Sequence, residues 1–138
     1  MRNLHPVIQQ ALKPFVKRTS ADRFAAVAEA KPTGDGRIVL DAVVQELGNM
    51  VGFRAVPFLA FEPLKEDLIA RAEMGEKKYG TKLRIRNGRK AAVDCYQEVL
   101  DGVMYAMQAR LEGDHKVGRH FEALMQIAAQ IAAELNVR

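Results

Sequence analysis

Two short stretches hold the only carboxylates in this chain that sit three residues apart: Glu73-Met-Gly-Glu76 and Glu98-Val-Leu-Asp101. Positions i and i+3 of a helix share a face. Two helices packed antiparallel can therefore bring Glu73, Glu76, Glu98 and Asp101 to one point. Four acids with no cation among them repel one another and call for a hard divalent ion. Oxygen donors alone, without His or Cys, select Mg²⁺ or Mn²⁺ over Zn²⁺.

Other chemistries fit the sequence less well. Di-iron carboxylate bundles use Glu-x-x-His pairs, and neither acidic pair here is followed by a suitably spaced His. A histidine-aspartate phosphohydrolase needs an adjacent His-Asp pair, and the chain has only Asp114-His115 in the reverse order. No Gly-rich phosphate loop is present. Cys95 is read as a small core residue rather than a nucleophile, because its neighbours are mostly apolar.

Between the two acidic pairs runs a basic segment. Lys77, Lys78, Lys82, Arg84, Arg86, Arg89 and Lys90 fall there, and no acid lies between Lys77 and Lys90. A basic loop beside a carboxylate cluster suits a polyanion that arrives with its metal. A solvated loop and a nucleic-acid patch remain open as readings of the same charges.

The positioning elements follow from periodicity. Leu4, Val7, Ile8, Ala11 and Leu12 predict a helix over 4–13, ended or kinked by Pro14. Ser20 can cap a short helix through Ala30 that buries Phe24, Val27 and Ala28. Residues 31–36 are a Pro/Gly break. Leu40, Val43, Val44, Leu47 and Val51 predict a helix over 38–51, although the run Ile38-Val-Leu40 also fits a strand. Phe53, Phe58 and Phe61 lie in an irregular stretch, where they wall a base pocket or, more commonly, plug a core.

A helix from Glu62 to Tyr79 buries Phe61, Leu64, Leu68 and Ala72 and stops at Gly80. The helix from Lys90 to Leu111 is apolar over most of its circumference, through Ala92, Val93, Val99, Leu100, Val103, Met104, Met107 and Leu111. One polar stripe interrupts it: Asp94, Glu98, Asp101 and Tyr105, with no cation to offset repulsion. A last helix is expected from His115 to Asn136. Its seam of Val117, Phe121, Leu124, Ala128, Ile131 and Leu135 would pack along a partner helix, in the core or between subunits.

The fold class is therefore all-α: one domain over 1–138, a bundle of at least four main helices, with the acids on helices 62–79 and 90–111. The composition agrees. The chain has 138 residues, is 49% hydrophobic and carries a net charge of +4. One Cys cannot form an internal disulfide, which fits a reducing compartment. No secretory signal and no membrane-length apolar run is seen, so the expectation is a cytoplasmic protein away from membranes.

At the level of longer motifs, the chain resembles a known family. Arg71-Ala-Glu-Met-Gly-Glu-Lys-Lys-Tyr-Gly-Thr81, then Asn87-Gly-Arg89, then Asp94-Cys-Tyr-Gln-Glu-Val-Leu-Asp101 is similar to the all-α nucleoside triphosphate pyrophosphohydrolases, the MazG-like superfamily, and within it to small phage proteins of the MazZ type. The resemblance covers residues 60–112. It implies that Glu73, Glu76, Glu98 and Asp101 are catalytic ligands of Mg²⁺ (or Mn²⁺). It implies hydrolysis of a nucleoside triphosphate, (d)GTP in that branch, between the α- and β-phosphates by a metal-activated water, and a dimer or tetramer with a site lined by two subunits.

Departures from the family pattern are specific. Several relatives have a second Glu where this chain has Ala72. Some have Lys where this chain has Asp94, which adds a fifth carboxylate. Tyr105 matches a Tyr found near the triphosphate in some relatives. Lys77, Arg89, Lys90, Lys116 and Arg119 are candidate phosphate ligands, and Asn87 is a candidate hydrogen-bond donor. Two other readings stay open. One is a dCTP- or dUTP-specific relative. The other is a small basic helical protein that binds nucleic acid, against which the cation-free acid stripe counts, since it would repel phosphates.

Overall fold

The computed structural model describes residues 34–52 and 56–137. The helices expected over 4–13 and 20–30, and Phe53, lie outside the described residues. What is described is all-α, with four long helices: α1 (Val39–Gly52), α2 (Phe61–Tyr79), α3 (Ala91–Leu111) and α5 (Phe121–Val137). A single 3₁₀ turn, Phe58–Ala60, precedes α2, and a one-turn helix, α4 (His115–Gly118), precedes α5. These elements fall into two compact units, one ending at Arg89 and the other resuming at Lys90.

In the first unit α1 packs on α2. Ile38 does not extend a strand. It makes one isolated antiparallel bridge with Arg84, and the helix starts at the next residue. Val39 N–H donates to Leu83 O at 3.0 Å and Ile85 N–H donates to Arg37 O at 3.0 Å. Arg84 Nη1 adds a bond to Gly36 O at 2.9 Å. The loop after α2 is thus tied to the start of α1. Among the described residues of this unit, Leu47 and Asn87 are buried; Phe61, Leu68 and Ala72 are half-buried, and Leu64 is exposed. Phe58 does not plug a core here, being 80% exposed.

Gly80 ends α2 with φ 74, and its N–H donates to Glu76 O at 2.8 Å. That left-handed cap is available to Gly without a Cβ penalty. Lys77 and Lys78 in the last turn oppose the negative end of the helix dipole.

The second unit is an antiparallel hairpin of α3 and α5 joined through α4. Its core is Tyr96 and Val103 from α3 against Ala128 and Ala132 from α5, with Val99, Leu100, Phe121, Leu124, Ile131 and Leu135 packed around them. Small alanines on α5 let the helix axes approach and leave room for the Tyr96 ring. The buried face of α3 therefore runs Val93, Tyr96, Val103, Ala106. This corrects one sequence expectation. Cys95 sits off that face and is exposed. Met104 and Leu111 lie outside the α3–α5 contact and are 71% and 79% exposed.

A second correction concerns the last helix, which is broken at Arg119–His120 rather than continuous from His115. Asp114 caps the short α4 by accepting from Lys116 N–H (3.1 Å) and Val117 N–H (3.2 Å). Gly118 is buried, and a Cβ built on it would stand 2.8 Å from Arg110 Cα and Cβ and 3.0 Å from Arg110 N. The turn can close only because that Cβ is missing. Arg110 fastens it from the other side: Nη2 donates to Gly118 O at 2.9 Å and to Glu122 Oε2 at 2.7 Å, and its guanidinium lies 5.0 Å from the Phe121 ring centroid.

Two outcomes follow. Gly118→Ala should destabilise the protein by about 1–3 kcal/mol, since the clash is with helix backbone that cannot swing aside; the urea-unfolding midpoint reports it. The Arg110 hydrogen bond and charge hold the Glu122 carboxyl below its ordinary value of 4.5. A lowered folded-state pKa stabilises above the ordinary value, and that stability is lost as pH falls through the lowered one. Wild type should therefore exceed Glu122→Gln in urea midpoint at pH 7, modestly for so exposed a pair. The difference should vanish once the pH is below the lowered pKa.

Candidate active site

The helix that must present the first acidic pair is well formed through both residues. Glu73 is exposed and Glu76 half-buried, on adjoining turns of α2 with Cβ atoms roughly 5–6 Å apart, as the i,i+3 geometry dictates. The second pair sits mid-way along α3. Glu98 and Asp101 are exposed, Asp94 is half-buried in the first turn, and Tyr105 is 66% exposed one turn after Asp101. The stripe read from the sequence is a real face of α3, lying away from the buried line of Val93, Tyr96, Val103 and Ala106.

The structure brings Glu73 and Glu76 together within one unit, and Glu98, Asp101, Asp94 and Tyr105 together within the other. Among the described residues, no three His, Cys, Asp or Glu side chains converge on a common point within either unit. Also among the described residues, none of Glu73, Glu76, Glu98 and Asp101 makes an ion pair or a side-chain hydrogen bond. That matters physically. Carboxylates three apart on a helix repel, and the usual relief is a Lys or Arg one turn away. Here that relief is not taken up by any of the four.

The basic segment belongs largely to the first unit. Lys77, Lys78, Lys82 and Arg86 are exposed, whereas Arg84 is half-buried and engaged with Gly36. Asn87 is buried, 7% exposed, and its Oδ1 accepts from Arg89 N–H at 3.0 Å, the local turn that Asn side chains favour. Arg86, just before it, holds a left-handed φ of 54, so the chain bends sharply at this point. Asn87 therefore shapes the loop from inside. Arg89 lies with its guanidinium 5.9 Å from the Tyr79 ring centroid, and Lys78 Nζ approaches the same ring at 5.1 Å.

Nothing in the sequence marks Tyr79 as part of the site. It is a shared platform for two cations, each such contact worth about 0.5–1 kcal/mol at an exposed site. A Lys-Tyr dipeptide at a helix end gives little warning of it, because Arg89 reaches the ring only through the fold of the loop. The remaining candidates lie in the second unit. Lys90 precedes α3 and its carbonyl accepts from Val93 and Asp94 N–H. Lys116 lies in α4, and Arg119 Nε donates to His120 Nε2 at 3.5 Å.

Comparisons with known protein families, with curated proteins and with solved structures find no match.

Gly75 lies between the two acids of the first pair, in the helix interior, with nothing within 4 Å of where a Cβ would stand. Glycine mid-helix costs about 0.5–1 kcal/mol relative to alanine. Gly75→Ala should therefore stabilise the protein by that amount, read as a higher urea midpoint, and a fall would show that the position is crowded in the working protein.

Proposed function

We propose that this protein is a Mg²⁺- or Mn²⁺-dependent nucleoside triphosphate pyrophosphohydrolase with a MazG-like helical bundle, assembled as a dimer or tetramer and acting on (d)GTP. The observation that carries the proposal is the state of the two acidic pairs. Each lies on one face of a well-formed helix, and none of the four carboxylates has an ion-pair partner among the described residues. An oxygen-only donor set without counter-cations fits a hard divalent ion. The residues that would hold it are Glu73, Glu76, Glu98 and Asp101. Once bound, the ion supplies charge neutralisation at the phosphates and a lowered pKa for water.

The remaining work falls to other side chains. Lys77, Lys82 and Arg86 offer exposed positive charge to the β- and γ-phosphates, raising the local concentration of a polyanion. Arg89 adds to them from its seat against Tyr79. Asn87 is a positioning residue, acting through the loop that carries Arg89. Asp94 and Tyr105 extend the α3 face beyond the ligands, with Tyr105 free to meet the nucleotide. Water adds to the α-phosphorus, the bond from that phosphorus to the α,β-bridging oxygen breaks, and pyrophosphate leaves with the bridging oxygen. The proton from water passes to a carboxylate not used in ligation or to solvent.

The test is pyrophosphate and monophosphate release from a panel of ribo- and deoxynucleoside triphosphates with Mg²⁺ or Mn²⁺. Loss of a supporting second-layer contact at a metal typically costs 10–100-fold, so loss of a direct ligand should exceed about 100-fold. Glu98→Gln and Glu73→Gln should each lose activity by at least that factor with unchanged circular dichroism. Turnover equal to wild type in a folded Glu98→Gln would sink the proposal. Guanine nucleotides should lead the panel; preference for dCTP or dUTP would keep the chemistry and replace the base.

A further inference from the structure

We infer that the loop after α2, together with the last turn of that helix, is a binding surface for single-stranded nucleic acid. Residues 77–89 carry Lys77, Lys78, Lys82, Arg84, Arg86 and Arg89 and no acid. Lys77, Lys78, Lys82 and Arg86 are exposed, and among the described residues none of these four forms an ion pair. Asp35, exposed on the segment to which the loop is tied, has Arg37 two residues on to offset it.

Charge sets the size of the ligand. A nucleoside triphosphate with one bound Mg²⁺ keeps about two negative charges, which leaves most of this surface unneutralised. A nucleic-acid strand brings a phosphate with every nucleotide and releases condensed counterions as each is met. The loop also holds its shape in advance. A Cβ on Gly36 would stand 2.6 Å from Ile85 O, and one on Gly34, at φ 112, would stand 3.1 Å from Arg86 O, so the loop lies directly on this segment. Two backbone hydrogen bonds and the Arg84 bond to Gly36 O fasten it there. A surface ordered before its ligand arrives loses little entropy on binding.

The side chains between the cations select the single strand. Leu83 and Ile85, 58% and 45% exposed, alternate with Lys82, Arg84 and Arg86. In a duplex the base faces are stacked inside, and these aliphatic groups would meet only sugar and phosphate. In a single strand the bases can unstack and lie against apolar side chains while the cations follow the backbone. An anionic bilayer fits less well, because two branched aliphatics hemmed by cations are a small insert beside the long apolar helix face that holds a protein in the interface. The carboxylate stripe of α3, which would repel a phosphate backbone, belongs to the other unit. This surface binds a strand whether or not the acids hydrolyse a nucleotide.

The test is fluorescence anisotropy of a labelled thymidine oligonucleotide of about 20 residues, longer than one binding site, titrated with the full-length protein. Chelator is present and nucleotide absent, so hydrolysis plays no part. The logarithm of the binding constant should fall with the logarithm of salt concentration at a slope of about −3, from ~0.7 for each phosphate neutralised by the four exposed cations. Lys82→Gln with Arg86→Gln should roughly halve that slope. Leu83→Ser with Ile85→Ser should weaken binding several-fold at the wild-type slope. Absence of binding at low salt overturns the inference, as does a wild-type slope in the folded Lys82→Gln, Arg86→Gln protein or equal affinity for a duplex. Binding to vesicles of anionic lipid without binding to the oligonucleotide also overturns it and assigns the surface to a membrane. Should the variants fail to fold, wild type irradiated with an oligonucleotide carrying 5-iodouracil decides. Crosslinks within residues 77–89 support the inference, and crosslinks confined elsewhere, or none, overturn it. Binding without nucleotide turnover in a separate assay would leave this surface standing and remove only the hydrolase reading.

Discussion

The second unit depends on one close approach. Gly118 lies against the backbone of Arg110, where no side chain would fit, and this lets the chain turn back along α3 within a few residues of leaving it. Everything in the hairpin is downstream of that turn. It sets α5 antiparallel to α3, lays the alanines at 128 and 132 beside Tyr96 and Val103, and places Arg110 where it can hold both Gly118 and Glu122. The ion pair is incidental to this; with half-exposed partners it contributes little. The steric condition at Gly118 is what selects the geometry.

The helices that carry the acids were legible in the sequence almost to the residue. Glu62–Tyr79 and Lys90–Leu111 became Phe61–Tyr79 and Ala91–Leu111, because a glycine stop and a long apolar period are local signals. The break at Arg119–His120 was not legible. The apolar spacing runs straight through it, and its cause is a contact with Arg110 that periodicity does not encode. The face of α3 was also ambiguous. A helix apolar on most sides names no inward direction by itself, and only the small residues of α5 decide that Tyr96 goes in while Cys95, Met104 and Leu111 stay out.

For the candidate site the division is similar. That Glu98, Asp101 and Tyr105 share a face follows from spacing alone, and so does the pairing of Glu73 with Glu76. The role of Asn87 did not follow. From sequence it was an available donor next to a glycine; in the fold it is buried and turns the backbone toward Arg89. Tyr79 likewise acquires its place under two cations from the loop's path rather than from its neighbours in sequence. Residue type and helical register are written locally, while the partners of loop side chains depend on segments distant along the chain.

The tie between Arg84 and Gly36 spans 48 residues, whereas that between Arg110 and Gly118 spans 8. Bringing chain ends together costs entropy that grows with the logarithm of their separation, so the longer closure is dearer by roughly 1.6 kcal/mol before any contact rewards it. Among the described residues of the first unit, Leu47 and Asn87 are buried to offset that cost, while the hairpin has its alanine-lined seam close at hand. Assembly of the chain is therefore lopsided: the α3–α5 hairpin is a local event that can form early, and the basic loop reaches its final path only once two stretches nearly fifty residues apart have met.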